Sequence, residues 1–213
     1  MKPLLFIVVS FSAAGLCGCC NDYYSCLNPS FLFRQEVAYF PREKAIQVGD
    51  TLWLFTQFPC ANMINLYGNV EEDYCNASEM NGWINIYKLE ADSNGAMKGA
   101  ADDFNFVEKR GFVNVPEGEE RTESRRNFSF FLGEGFFGLQ VGFVPKNTGR
   151  YGFIINGAKA IPDKKRVCCK DEAFFIFSIA NPDPHLELYL EYLGVDSLNS
   201  PLQPPGYFFE VEQ

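Results

Sequence analysis

Aromatic side chains recur at every second position along much of this chain, and that spacing restricts the fold more than any other feature. Phe, Tyr and Trp make up 16% of the residues, with 22 phenylalanines among them. Phe31, Phe33, Val37 and Tyr39 fall two or four apart, as do Tyr207, Phe209 and Val211. Aromatic and β-branched residues on alternate positions suit a pleated, half-buried surface and do not form one stripe of a helix. With Gly and Pro punctuating the runs, the pattern predicts an all-β domain.

Read in order, Phe31 to Phe40 predicts a first strand ended by Pro41, and Ala45 to Val48 a short edge segment. The run from Thr51 to Phe58 is a clear strand after the turn residues Gly49-Asp50. Pro59 to Asn81 reads as one long loop, of the kind that is functional or holds a small element of its own. Further strands are expected at 83–89, 103–107, 111–115, 127–132, 136–144, 150–155 and 173–180. Gly133-Glu134-Gly135 has the composition of a hairpin turn, and Glu117 to Arg126 that of a solvated polar loop. Near the end, Asp183 and Pro184 read as N-cap and first residue of a helix over 184–193. Leu186, Tyr189, Leu190 and Leu193 would form its apolar face and Gly194 its C-terminal cap. Tyr207 to Val211 predicts a closing strand.

Within the long loop, Cys60 and Cys75 are expected to bridge one another and limit its freedom. Pairing of Cys75 with Cys168 or Cys169 is the competing arrangement. A bridged loop would present Tyr67, Glu71, Glu72, Asp73 and Tyr74 to a ligand. The acidic run lacks the alternating ligand spacing of a calcium loop, and no cysteine pair has zinc-knuckle spacing, so no metal and no cofactor are expected. Tyr67 and Tyr74, with Trp53 and Trp83 near them in sequence, could form a stacking platform for sugars. Both tryptophans lie within apolar strands, however, and are expected in the core. Asn76-Ala77-Ser78 and Asn127-Phe128-Ser129 match the N-glycan acceptor pattern, on which no expectation is built.

The chain opens with Lys2, an apolar segment from Leu4 to Val9 and a tail of small residues, the form of a secretory signal and too short to span a membrane. Leu16-Cys17-Gly18-Cys19 resembles the bacterial lipobox, and the resemblance implies that Cys19 becomes a lipidated first residue after removal of 1–18. The alternative is an ordinary signal peptide whose nearby cysteines form disulfides. Residues 19–30 would be a tether and 31–213 a single domain. In an exported protein Cys20, Cys26, Cys60, Cys75, Cys168 and Cys169 are disulfide candidates. Val48-Gly49-Asp50-Thr51-Leu52-Trp53 looks like a strand entry of bacterial immunoglobulin-like domains and of uncharacterised bacterial lipoproteins. Thr148-Gly149-Arg150-Tyr151 resembles the tyrosine corner of such sandwiches, with Phe153 where antibody domains have a cysteine. These resemblances imply an immunoglobulin-like β-sandwich with one late α-helix, lipid-anchored to a bacterial membrane, facing the periplasm or the surface from the outer membrane.

A net charge of −9 makes the chain a poor polyanion ligand, which sets nucleic acid aside. No nucleophile elbow accompanies the single histidine, His185, expected on the solvent side of the helix. A non-enzymatic binding or assembly module with a protein or glycan partner is therefore the expectation. The alternatives are a carbohydrate-active hydrolase or its sugar-binding accessory domain, and a purely structural envelope protein.

Overall fold

The computed structural model describes residues 31–91, 97–116, 122–162, 172–181, 184–195 and 206–213. The leader, the tether, Cys20, Cys26, Cys168, Cys169 and Asp183 lie outside them. In chain order the strands are β1 (Phe31–Phe40), β2 (Ala45–Gln47), β3 (Leu52–Pro59), β4 (Met63–Asn65), β5 (Val70–Glu72), β6 (Ala77–Ala91), β7 (Met97–Gly99), β8 (Phe104–Arg110), β9 (Phe112–Asn114), β10 (Arg125–Ser129), β11 (Phe131–Gly133), β12 (Phe136–Pro145), β13 (Gly149–Pro162), β14 (Ala173–Ile179) and β15 (Gly206–Glu212). The helix α1 (Leu186–Leu193) precedes the last strand. This is the expected mainly β sandwich with one late helix and a closing strand.

β1 belongs to both layers. Phe31 to Val37 pair in parallel with β14, and Ala38 to Phe40 pair antiparallel with β3. One layer continues β14-β13-β6-β10-β9, and the other β3-β12 with β8 and β11 along the far edge of β12. The long strand β13 lies against β6 on one side, and β15 and β14 share its other side. The chain crosses between layers at Gly111, from β8 to β9, and again at Phe130, from β10 to β11. Gly111 has φ +72, and a Cβ there would lie 2.4 Å from the Ser129 carbonyl oxygen, so this crossing needs glycine. Phe130 is buried, and its N–H donates to the Met80 carbonyl at 2.9 Å.

Alternation places the aromatics between the layers. Phe153 is fully buried, with ring centroids of Phe143 at 4.6 Å, Phe209 at 5.0 Å, Phe104 at 5.3 Å and Tyr39 at 6.0 Å. Beside this cluster the Tyr151 hydroxyl donates to the Asn147 carbonyl at 3.2 Å and to Asp103 Oδ2 at 3.1 Å. The first is the upstream backbone bond that a tyrosine corner requires. Glu134 and Gly135, both at positive φ, form the mirror-image turn that suits the β11–β12 hairpin.

Several local expectations are corrected. The 59–81 loop contains the β4–β5 hairpin, and its last residues already belong to β6, because pairing with β13 overrides their weak strand propensity. Arg125 and Arg126 lie in β10, outside any solvated loop, and Arg126 is only 4% exposed, bonded to Asp102. The helix starts at Leu186, preceded by His185 in the left-handed region. Its buried side runs through Leu188, one position off the expected stripe, with Tyr189 stacked on Phe208 at 5.0 Å while Leu193 is exposed. His185 is buried against Tyr207, away from solvent, and its Nε2–H donates to the Arg42 carbonyl at 3.2 Å. Gly194 forms the expected left-handed cap. Both tryptophans point outward, because Leu52, Leu54, Ile84 and Ile86 take the inward phase of their strands.

Tyr39 makes a testable contribution to alkaline stability. It is fully buried and stacked on Tyr207 at 4.5 Å, and its hydroxyl has no hydrogen-bond partner among the described residues. Burial, and then the neighbouring Tyr207, push its pKa well above the ordinary tyrosine range. The folded-state value therefore exceeds the unfolded one, so the associated stability is complete below pH of about 10 and is lost above it. The loss is about 1.4 kcal/mol per pH unit in that window. Tyr39→Phe should change stability by less than about 0.5 kcal/mol at pH 7, since no bond is lost, and flatten the alkaline limb. Tyr151, raised by burial and by Asp103, leaves a residual slope. Urea unfolding between pH 7 and 11 checks this, and identical alkaline limbs would contradict it.

Candidate functional site

The outward phase of β6, β10 and β9 builds a polar floor. Register places Asn127 between Trp83 and Asn114, and Ser129 between Asn81 and Phe112. The inward partners, Met80, Ile84 and Phe128, are buried, which fixes this phase. The Ser129 hydroxyl donates to Asn81 Oδ1, and Asn81 Nδ2 donates to Glu79 Oε2 at 3.3 Å. Arg125 Nε donates to Asn127 Oδ1 at 3.0 Å, with its guanidinium 4.9 Å from the centre of the Trp83 ring. These bonds hold the amides and the arginine in fixed orientations.

Walls rise where the chain changes layers. Phe112, just after Gly111, is 49% exposed, and Phe131, just after Phe130, is 44% exposed. Together they enclose an open groove of about 880 Å³ that reaches Lys159 on β13. Lys159 is ion-paired with Glu172 at 2.7 Å. Glu79 is the one carboxylate lining the groove among the described residues. The arrangement offers flat apolar rings and short amide and hydroxyl groups that both donate and accept.

The ligand-facing residues expected from sequence do not come together. Tyr67 is 59% exposed at the turn of the β4–β5 hairpin, and Glu71 and Glu72 lie on its returning strand. Asp73 Oδ1 accepts from the Asn62 N–H at 2.8 Å and shapes the turn there. Tyr74 is buried, 5.5 Å from the Phe31 ring, and its hydroxyl donates to the Ala160 carbonyl at 3.2 Å, which makes it a core residue that faces no ligand. Cys60 and Cys75 do form a disulfide, with Cα atoms 4.8 Å apart. Trp53 lies on the outer face of the other layer, under Lys109 Nζ at 4.1 Å. The groove residues other than Trp83 were missed because they converge from five strands. The only local signal is polar alternation at Asn81-Trp83-Asn85 and Arg125-Asn127-Ser129.

Among the described residues no group of three or more His, Cys, Asp or Glu side chains is placed to hold a metal ion. No described helix is long and apolar enough to cross a membrane.

No family model matches the chain. No curated protein matches it either. Among solved structures it is similar to the second type II cohesin module of the adaptor ScaA scaffoldin of Acetivibrio cellulolyticus. In one crystal structure of that module the TM-score is 0.34 at 12% identity, over 68% of this chain and 92% of the module. In a form with a long C-terminal linker the TM-score is 0.32 at 11% identity, over 60% and 79%. Likeness at this level transfers no function.

Proposed function

We propose that this protein is a non-enzymatic binding module of the cell envelope, anchored through a lipidated Cys19, that holds a neutral glycan in the groove over β6, β10 and β9. The observation that carries the reading is the pairing of exposed rings with an ordered amide and hydroxyl floor. A pyranose offers a C–H face that packs on an aromatic ring, and hydroxyls that both donate and accept. Phe112 and Phe131 supply the rings, and Asn81, Asn114, Asn127 and Ser129 the polar partners. A few placed polar groups within an aromatic lining are the usual makeup of a binding cleft. Glycoside hydrolysis ordinarily uses two carboxylates flanking the scissile bond, and Glu79, the one carboxylate lining the groove among the described residues, supports binding without cleavage.

Screening on an array of neutral oligosaccharides, followed by calorimetry on the best binder, tests the proposal. Phe112→Ala and Asn127→Ala should each weaken that binding by about tenfold or more, as truncation of a central contact does. The oligosaccharide should be recovered uncleaved. An array with no saturable binder, or affinities that both variants leave unchanged, would overturn it.

A further inference from the structure

We infer that the tip of the β4–β5 hairpin is a membrane-contact surface, seated at the headgroup boundary of the bilayer that holds Cys19; this rests on the anchoring proposed above. Ile64, Leu66, Tyr67 and Val70 are all exposed on this short ribbon, while Met63 and Asn65 face the body of the domain. A tyrosine among exposed aliphatic residues suits the boundary, where an apolar ring and a polar hydroxyl are both accommodated.

The position of the hairpin indicates what covers it. The first described strand begins at Phe31, and Leu32 is bonded directly to the hairpin. Its N–H donates to Asn65 Oδ1 at 3.1 Å, and its carbonyl accepts from the Leu66 N–H at 2.8 Å. The exposed tip therefore lies at the end of the domain where the tether arrives. Cys19 is twelve residues before Phe31 in sequence, a reach of at most about 40 Å. The Cys60–Cys75 bridge closes the base of the stretch, and Asn65, which also accepts from the Tyr67 N–H at 3.2 Å, fixes the turn. Glu71 and Glu72 pair with Ile64 and Met63, behind the tip, so contact is confined to the turn and an anionic surface is not favoured.

The test uses the acylated full-length protein carrying Tyr67→Trp, in vesicles of phosphatidylethanolamine and phosphatidylcholine with or without brominated phosphatidylcholine. The emission added over wild type should be blue-shifted and lose about half or more of its intensity with the brominated lipid. Adding Leu66→Ser and Val70→Ser should reverse both effects. Added emission that is unshifted and unquenched, with acyl groups on Cys19 shown by mass, would overturn the inference. A blue shift without quenching would mean that a second copy or another protein covers the tip, and would overturn it too. An unacylated product would overturn the anchoring, and this inference with it, while leaving the groove reading intact.

Discussion

Phe153→Ala should lower stability by about 5 kcal/mol, the upper end of the range for a buried aromatic truncated to alanine. Phe153 is fully buried on β13, where rings from β1, β8, β12 and β15 converge on it. Those strands belong to both layers, so the cavity would open between sheets whose backbones are fixed by pairing. Neither layer can close on the void without breaking register, and the cost should approach the unrelaxed limit. Phe153→Leu, which keeps much of the volume, should cost about half as much. Urea unfolding measures both, and a loss below about 1.5 kcal/mol for the alanine variant would show that the layers can collapse around the site.

Loss of the Cys60–Cys75 disulfide should cost about 3 kcal/mol, the chain-entropy value for the 15-residue separation it closes. The effect should be larger at the hairpin than elsewhere. Tyr74 follows the bridge closely, its N–H donating to the Cys60 carbonyl and its ring packed against Phe31. The double variant Cys60→Ser, Cys75→Ser should therefore show faster amide exchange over 60–75 as well as a lower unfolding midpoint. An equilibrium loss under about 1 kcal/mol would mean that packing of Tyr74 and the bonds of Asn65 already hold the segment.

What could be read from the chain was what neighbouring residues decide. β1, the Glu134-Gly135 turn, the Gly194 cap and the Tyr151 corner each rest on chemistry within a few positions, and the structure has them where the pattern put them. Strand phase is different. In Leu52-Trp53-Leu54-Phe55 every residue is apolar, so alternation does not say which set faces in, and Trp53 turned out. The start of β6 was hidden because Ala77 to Gly82 carries Ser, Glu, Asn and Gly, poor strand formers that are held by pairing with β13 and, at Asn81 and Gly82, with β10 as well. Gly82 fits there because a Cβ would meet the Gly157 carbonyl oxygen at 2.4 Å, a close approach that sequence cannot display. Asp183-Pro184 imitated a helix start, yet the turn that opens the helix is made by His185, whose ring is held by the Arg42 carbonyl from a distant loop.

The groove was the least legible feature because its members are far apart in sequence. Asn81, Phe112 and Asn127 acquire a common face only when β6, β10 and β9 pair, and its walls exist only because the chain changes layers at Gly111 and Phe130. The expected ligand loop had the opposite history. Its residues are close in sequence, but Tyr74 went to the core and Asp73 to a backbone bond, leaving Tyr67 alone at the tip.

The central claim, that this groove holds a neutral glycan, is tested most directly by titrating the best array oligosaccharide into isotopically labelled protein and following side-chain resonances. The Trp83 indole N–H and the side-chain amides of Asn81, Asn114 and Asn127 should shift together along one saturable curve, while the Trp53 indole N–H on the opposite layer stays in place. Shifts confined to Trp53 and its surroundings, with the groove amides unmoved, would contradict the claim.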